Sequence, residues 1–326
     1  MRFLLATGRR VLYAVVVLFA VIVLNFLLIH LAPGDSADVI ASAMGGATEE
    51  MLEQIRHTYG LDKSVTEQLF IYLGKVVRGD LGYSYYFNAP VLELILHRVP
   101  ATFLLVVSSQ LVSIFLGIFL GVVASLRPNG LLSHFVNLSA LVFWAAPVFW
   151  SGLMILILFA SIIPLFPVSG MFEITRVGGT FTRILDVAHH LFLPMLTLAL
   201  LYLALYSRLA RASMLEVLNS DYIRTARAKG MSERVVIYQH ALRNAVLPVV
   251  TMVGLQISRV FAGAVLVETV FNWPGLGRLA FDSILRRDIP TILGILLFST
   301  LMVVVMNILT DLSYRLIDPR IQLETK

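Results

Sequence analysis

Apolar residues in this chain fall in long unbroken runs, not in the alternating pattern of a half-buried strand. Six windows stand out, at 11–32, 101–126, 131–163, 191–207, 245–267 and 291–310. A helix that crosses hydrocarbon needs about 20 mostly apolar residues. In lipid every backbone polar group must find its partner within the segment, so each run predicts a helix. Continuous runs also argue against a transmembrane β-barrel, whose strands alternate. Pro33-Gly34 closes the first window and Arg127-Pro128 the second, while Pro164 and Pro167 end the third. No small-residue cleavage site follows the first run, which therefore reads as a retained span. Pro147 predicts a kink in the third window, and Arg259 interrupts the fifth.

Between the runs, two segments exceed a simple connection. Residues 33–100 predict a small domain of their own. Within it Thr48 is placed to cap a helix carrying Glu49 and Glu50 in its first turn. Leu69, Tyr72, Leu73 and Val76 repeat at helical spacing, and "RGDLGYSY" (78–85) punctuates the end. The other segment is 208–244, which reads as helix, break, short helix. Asp221 caps a helical piece, Gly230 stops it, and Ser232 caps a short helix from residue 233 to about 241. Val235, Val236 and Tyr238 are its apolar candidates. A short helix between two breaks suits docking in a partner's groove.

Composition sharpens the class. Hydrophobic residues make up 58% of the chain and charged residues 14%, against about 25% in a soluble domain. The expected fold class is an all-α membrane protein with six transmembrane helices. Cysteine is absent, which excludes disulfides, a thiolate nucleophile and a Cys-ligated metal. The pI of about 9.6 suggests nucleic acid until the basic residues are sorted by side. With a cytoplasmic N-terminus, segments 1–10, 127–134, 208–244 and 311–326 hold fourteen Lys and Arg, and the short opposite segments 162–190 and 268–290 hold five. The long 33–100 segment is discounted, because long loops translocate whatever their charge. The positive-inside rule thus places both termini and 208–244 in the cytoplasm.

Seven of those basic residues lie in 208–244, and three of them in "RTARAKG" (224–230). Anchoring by charge alone explains their sign but not the break-helix-break layout. The stretch resembles the EAA loop of binding-protein-dependent ABC importers. That motif runs Glu-Ala-Ala, three residues, Gly, then a hydrophobic residue before Leu-Pro. Gly230 fits its glycine, Ala226 its second alanine, and Leu247-Pro248 its Leu-Pro. Arg224 stands in place of the Glu and Thr225 in place of the first Ala, departures that suit the peptide and nickel permeases. "LIHLAPGD" (28–35), "YGLDKSVTEQ" (59–68), "RGDLGYSY", "RVPATFLL" (98–105), "PVFW" (147–150), "FNWPGLGRLAFDSILRRDIP" (271–290) and "DPRI" (318–321) follow in order. Over nearly the whole chain they are similar to the first, B-type permease subunit of dipeptide, oligopeptide and nickel importers.

The resemblance implies a type I ABC importer permease fold. Residues 1–32 would hold the cytoplasmic N-terminus and first span, 33–100 an extracytoplasmic domain, 101–312 the permease domain and 313–326 a cytoplasmic tail. It implies a non-catalytic subunit of an ATP-driven importer of short peptides in the bacterial inner membrane. Relatives with nearly the same motifs carry nickel or metal chelates, glutathione or opines. The chain holds no G-x-x-x-x-G-K-[ST] P-loop. ATP and Mg would therefore belong to two cytoplasmic ATPase subunits, alongside a second permease and an extracytoplasmic solute-binding protein. The coupling loop would contact the ATPase through Arg224, Ala226, Arg227, Gly230, Met231, Ser232, Glu233 and Arg234. The "NWPGLG" turn, with Trp273, Pro274, Gly275 and Gly277, would be an outer gate or binding-protein contact, or else a rigid connector.

Arg259 lies about 13 residues into its window, roughly 20 Å deep. An arginine at a helix centre costs about 2.5–3.5 kcal/mol on insertion scales. It is expected to face a translocation path with Gln256 and Gly263, or to pair with a buried acid. His189 and His190 are adjacent and lack an H-x-x-x-H frame, so no metal is expected there. Trp144, Phe149 and Trp150 read as packing. A stand-alone channel or secondary transporter would call for inverted repeats or intramembrane carboxylates. An intramembrane enzyme would call for a catalytic pair at depth, and Ser108 and Ser109 have no histidine within their span. A reporter placed after Lys326, or within 211–244, should read as cytoplasmic and one near Gly46 as external. A cytoplasmic signal at Gly46 overturns the span assignment.

Overall fold

A computed structural model of the chain describes residues 2–31, 48–59, 62–173 and 178–317, excepting the side chains of 2–11, 29, 31, 54–56, 58, 59, 257–263 and 311–317. It divides into two compact units. One comprises Met1–Val99 with Leu279–Ile308, the other Pro100–Arg278 with Leu309–Lys326.

The first unit begins with helix α1, Arg2–Leu31, followed by α2, Glu49–Tyr59, and α3, Val65–Val77. α2 starts directly after Thr48, with Glu49 and Glu50 in its first turn, where carboxylates favour the helix dipole. α3 carries a capping box: Glu67 N–H donates to Ser64 Oγ at 3.4 Å, and Ser64 N–H to Glu67 Oε2 at 3.2 Å. Tyr72 of α3 meets the Phe26 ring of α1 at 6.1 Å. A short hairpin pairs β1, Tyr83–Ser84, with β2, Ala89–Pro90, the turn taking Asn88 to φ 50°. Helix α4, Val91–Leu126, then carries the chain out of this unit. Near the chain's end, the unit's second segment, Leu279–Ile308, takes in most of α12, Leu276–Arg286, and the first part of α13, Ile289–Ile317, while 276–278 belong to the other unit. Gly294 of α13 has no room for a side chain, since a Cβ there would overlap Val91 of α4.

The second unit is built on α7, Thr180–Leu218. α5, Leu131–Ala145, packs on it, as does α6, Val148–Leu156, which runs on as a π-helical turn over Ile157–Ile162. Helix α11, Leu247–Val270, packs on both α6 and α7. The shared core includes Leu105, Leu193, Leu198, Tyr206, Val249, Val267 and Trp273, all buried. α4 approaches α7 through Gly117 and Gly121. A Cβ on Gly121 would stand 2.6 Å from Ala210 Cβ and 2.7 Å from the Ser207 carbonyl. Small residues four apart let two helices come close where no hydrophobic drive separates protein from lipid. Polar side chains of α4 turn inward: Ser109, Gln110 and Ser113 are buried while Phe115 and Phe119 are exposed.

Among the described residues, α4, α7 and Ile289–Thr310 of α13 are long and apolar enough to cross a membrane. The predicted span over 131–163 is formed by two helices meeting at 109° across the kink expected at Pro147. Ala146 N–H closes α5 on the Val142 carbonyl, and Pro147, which has no N–H to lose, starts the next segment. If that bent pair is one span it makes a fourth, and Leu12–Leu28 of α1 is apolar but shorter. The fifth window lies in α11, and the side chains of its middle are outside the described residues.

The two glycine classes make a clean comparison. Gly121→Val forces backbone apart and should cost about 1–3 kcal/mol, seen as a lower unfolding temperature in detergent. Gly74→Ala in α3 meets nothing within 4 Å and should be neutral or stabilising by up to ~1 kcal/mol. Equal behaviour of the two variants would contradict the close packing of α4 on α7.

Candidate functional site

The 208–244 segment folds into a corner. α7 continues to Leu218, and α8, Asp221–Ala228, turns away from it. α8 ends in a Schellman motif. Met231 N–H reaches the Ala226 carbonyl at 3.4 Å, and Gly230 N–H the Arg227 carbonyl at 2.9 Å. Gly230 takes φ +75°, a left-handed conformation that disfavours any other residue. A Cβ there would meet nothing within 4 Å, so backbone strain alone demands the glycine. After the turn come α9, Glu233–Val235, a π-helical stretch over Val236–Ala241, and α10, Leu242–Ala245, which leads to α11.

An apolar base holds the corner in place. Ile223 and Ala226 of α8 pack with Met214, Val122, Val236, Ile237, Ala241 and Ala245. The short helix expected over 233–241 is therefore largely packed down rather than presented. Val236, Ile237 and Ala241 are buried, and only Tyr238 of the apolar candidates faces solvent. What the corner exposes is Arg224, Arg227, Lys229, Gly230, Met231, Ser232, Glu233 and Arg234. Ala226 lies beneath, where its small side chain lets α8 sit on the base. Arg227 forks onto Glu233 across the turn, with Nη2 at 2.8 Å from Oε1 and Nε at 3.3 Å from Oε2. The hydrogen bond from Arg227 lowers the Glu233 carboxyl below its usual range, and Glu233 in turn raises Arg227. The pair is thus whole at neutral pH, and its contribution is lost only as pH falls through the lowered Glu233 value. Both groups are solvent-exposed, so the pair fixes geometry more than it adds stability. Arg224 lies 3.3 Å from Asp221, and Tyr222 OH accepts from Asn244 Nδ2 at 2.8 Å.

The turn between α11 and α12 is the second candidate. Asn272 adopts φ 54°, and Trp273 N–H donates to the Glu268 carbonyl at 2.8 Å. Trp273 is fully buried, its indole N–H on the Ala101 carbonyl at 2.8 Å. Gly275 and Gly277 are buried and Pro274 is half-buried, so these residues hold the turn, while Asn272 is exposed. Their anchor is Glu268, 0% exposed. Its Oε1 accepts from the Thr102 hydroxyl at 2.6 Å, and its Oε2 accepts from Gly277 N–H at 2.7 Å and Arg278 N–H at 3.1 Å. Thr102 Oγ1 accepts from Leu276 N–H at 2.8 Å.

In the other unit, Asp288 plays a comparable part. Its Oδ2 accepts from Ser84 Oγ at 2.5 Å and from Thr291 Oγ1 at 2.6 Å, which ties the hairpin to the start of α13. Arg286 lies over the Tyr86 ring at 5.0 Å. Gln256 is half-buried, its Nε2 3.9 Å from Met252 Sδ. The Arg259 side chain and the surroundings of Gly263 lie outside the described residues. His189 Nε2 is 2.8 Å from the Leu165 carbonyl and His190 Nδ1 3.4 Å from Asp186 Oδ1. No group of three or more His, Asp or Glu able to hold a metal occurs among the described residues.

Sequence reasoning missed Glu268, Thr102, Ser84 and Asp288. A signal for Glu268 was present: an acid at the end of an apolar run is costly unless donors surround it, and a Gly-x-Gly follows seven residues later.

Residues 113–323 match the family described as Binding-protein-dependent transport system inner membrane component. Residues 1–106 match the one described as Binding-prot-dependent transport system membrane comp, N-term. The chain is 38% identical to the Oligopeptide transport system permease protein AppB of Bacillus subtilis, over 96% of its own length and 98% of that protein. It is also 38% identical to the Dipeptide transport system permease protein DppB of Escherichia coli, over 96% and 97%. Among solved structures, an inward-facing form of the MetNI methionine ABC transporter matches with TM-score 0.53. That match has 14% identity and covers 70% of this chain and 97% of that one, which bears on fold alone.

Proposed function

The chain belongs to the family of binding-protein-dependent transport system inner membrane components, and from that premise we propose how it works. It is a permease subunit of an ATP-driven importer of di- and oligopeptides. The peptide assignment is supported by about 38% identity, over nearly the whole chain, to proteins named for peptide transport. The chain crosses the bacterial inner membrane six times with both termini in the cytoplasm. A second permease completes the path, two ATPase subunits bind ATP and Mg, and a solute-binding protein delivers the peptide from outside. The α11–α12 turn lies on that outer side, where it meets the binding protein.

The observation that carries the mechanism is the corner at 221–234. Its underside is packed on the second unit's apolar base, and its upper side is an exposed, positively charged turn with a fixed left-handed glycine. An element anchored below and presented above transmits force: when the ATPase subunits move, Arg224, Arg227, Met231, Ser232, Glu233 and Arg234 move with them. Ile223, Ala226, Val236 and Ile237 then pass the displacement to α7 and α11. Transport chemistry in this chain is mechanical, and bond breaking belongs to the ATPases.

The test uses the absence of native cysteine. Single cysteines at 224, 227 and 231–234 should cross-link to the ATPase in the assembled complex, and cysteines at 211–220 should not. Gly230→Val should assemble yet separate ATP hydrolysis from uptake, since a left-handed β-branched residue costs more than the roughly 1–2 kcal/mol of an ordinary one. Gly230→Asn, which tolerates that conformation, should retain most uptake. Cross-links confined to 211–220, or equal uptake by all three residues at 230, would remove the corner from coupling.

A further inference from the structure

We propose that Glu268 is a positioning residue for transport: its carboxylate caps α12 from the neighbouring helix and so fixes the 271–277 turn in the shape that meets the extracytoplasmic partner. The proposal rests on the reading of that turn given above. It starts from a deficiency in α12. The first amides of a helix have no partner within it and are usually satisfied by a Ser, Thr, Asp or Asn immediately before. α12 has Gly275 there, with no side chain to offer. Its first three N–H groups are satisfied from elsewhere, Leu276 by Thr102 of α4, and Gly277 and Arg278 by Glu268 of α11.

The arrangement suits an acceptor group. Two donors to Glu268 are backbone amides, which cannot accept a proton in return, and the Thr102 hydroxyl donates to it as well. An ionised carboxylate only accepts, and it also sits at the positive end of the α12 dipole. Glutamine could keep the two amide bonds only by turning its NH2 on Thr102, leaving the hydroxyl proton without that acceptor and the helix end without its charge.

Gly275 completes the case. The three nearest atoms that a Cβ there would meet all belong to the Glu268 carboxyl group, and they would overlap it. The backbone at Gly275 is not in the left-handed region, so the carboxylate, not φ, is what excludes a side chain. Glycine is required because the cap occupies the volume a local cap would take. The remote cap and a local one are therefore mutually exclusive, and one should replace the other.

That exclusion gives a test with the complete transporter in proteoliposomes. The readouts are uptake of a labelled dipeptide per assembled complex and the half-saturating concentration of binding protein. Glu268→Ala and Gly275→Ser should each lower uptake by about fivefold or more, the scale of a lost cap, and raise the half-saturating concentration. The double variant E268A/G275S has room for the serine, which can cap Gly277 or Arg278 locally, and should recover most of both losses. A carboxylate that acted by touching solute or partner would not be replaced in this way. Wild-type uptake in either single variant, or a double variant no better than the worse single, overturns the proposal. Should E268A fail to assemble, recovery of assembly in E268A/G275S supports the cap and its absence overturns it. A cysteine at exposed Phe281 separates the two readings. If it fails to cross-link to the binding protein in an otherwise native complex, the partner contact is wrong, while the rescue still reports on the cap.

Discussion

A backbone amide or carbonyl without a partner in hydrocarbon costs several kcal/mol, and most of this architecture answers that penalty. Helices answer it over their length. The places worth explaining are those where a helix stops. At Ala146–Pro147 the chain turns by 109°, with the last amide of α5 closed on Val142 and the next residue a proline. At the end of α6 the π-helical turn delivers both Leu165 N–H and Phe166 N–H to the Phe159 carbonyl. At the start of α12, Glu268 and Thr102 replace the missing cap. Serines 108 and 109 return their hydroxyls to carbonyls of their own helix, which explains polar residues in a span without invoking chemistry.

Among the described residues of the second unit, the 221–234 corner presents a close-set group of exposed basic residues on a packed base. Its shape depends on Gly230 and on the Arg227–Glu233 fork, and its attachment on Ile223, Ala226, Val236 and Ile237. In the coupling role proposed above, that surface would be the one offered to an ATPase subunit. This corner and the α11–α12 turn share a logic: each is held by buried residues beneath it, so that its exposed residues keep their places.

The sequence made the helical runs legible because span length and apolar continuity are coarse signals. It located the Gly230 stop because a left-handed C-terminal glycine is a local event. It also located the start of α2, where Glu49 and Glu50 follow Thr48. It did not reveal the depth of the break at Pro147, since a proline marks a boundary without setting its angle. It did not show how far 233–241 is packed down, because burial of Val236 and Ile237 depends on Val122 and Met214, more than twenty residues away. The role of Glu268 stayed hidden for the same reason, although its place at the end of an apolar run marked it. Its partner Thr102 is 166 residues distant, and only folding brings "RVPATFLL" against "NWPGLG". Asp288 and Ser84, 204 residues apart, repeat that lesson in the other unit.

The account stands on this chain being one half of a path powered by another subunit's ATP. The direct measurement is dipeptide uptake into proteoliposomes holding this chain with its second permease, ATPases and binding protein, compared with proteoliposomes holding the chain alone. The account predicts uptake only in the complete complex, only with ATP on the ATPase side, and none from the chain alone under a proton or sodium gradient. Gradient-driven uptake by the isolated chain would contradict it.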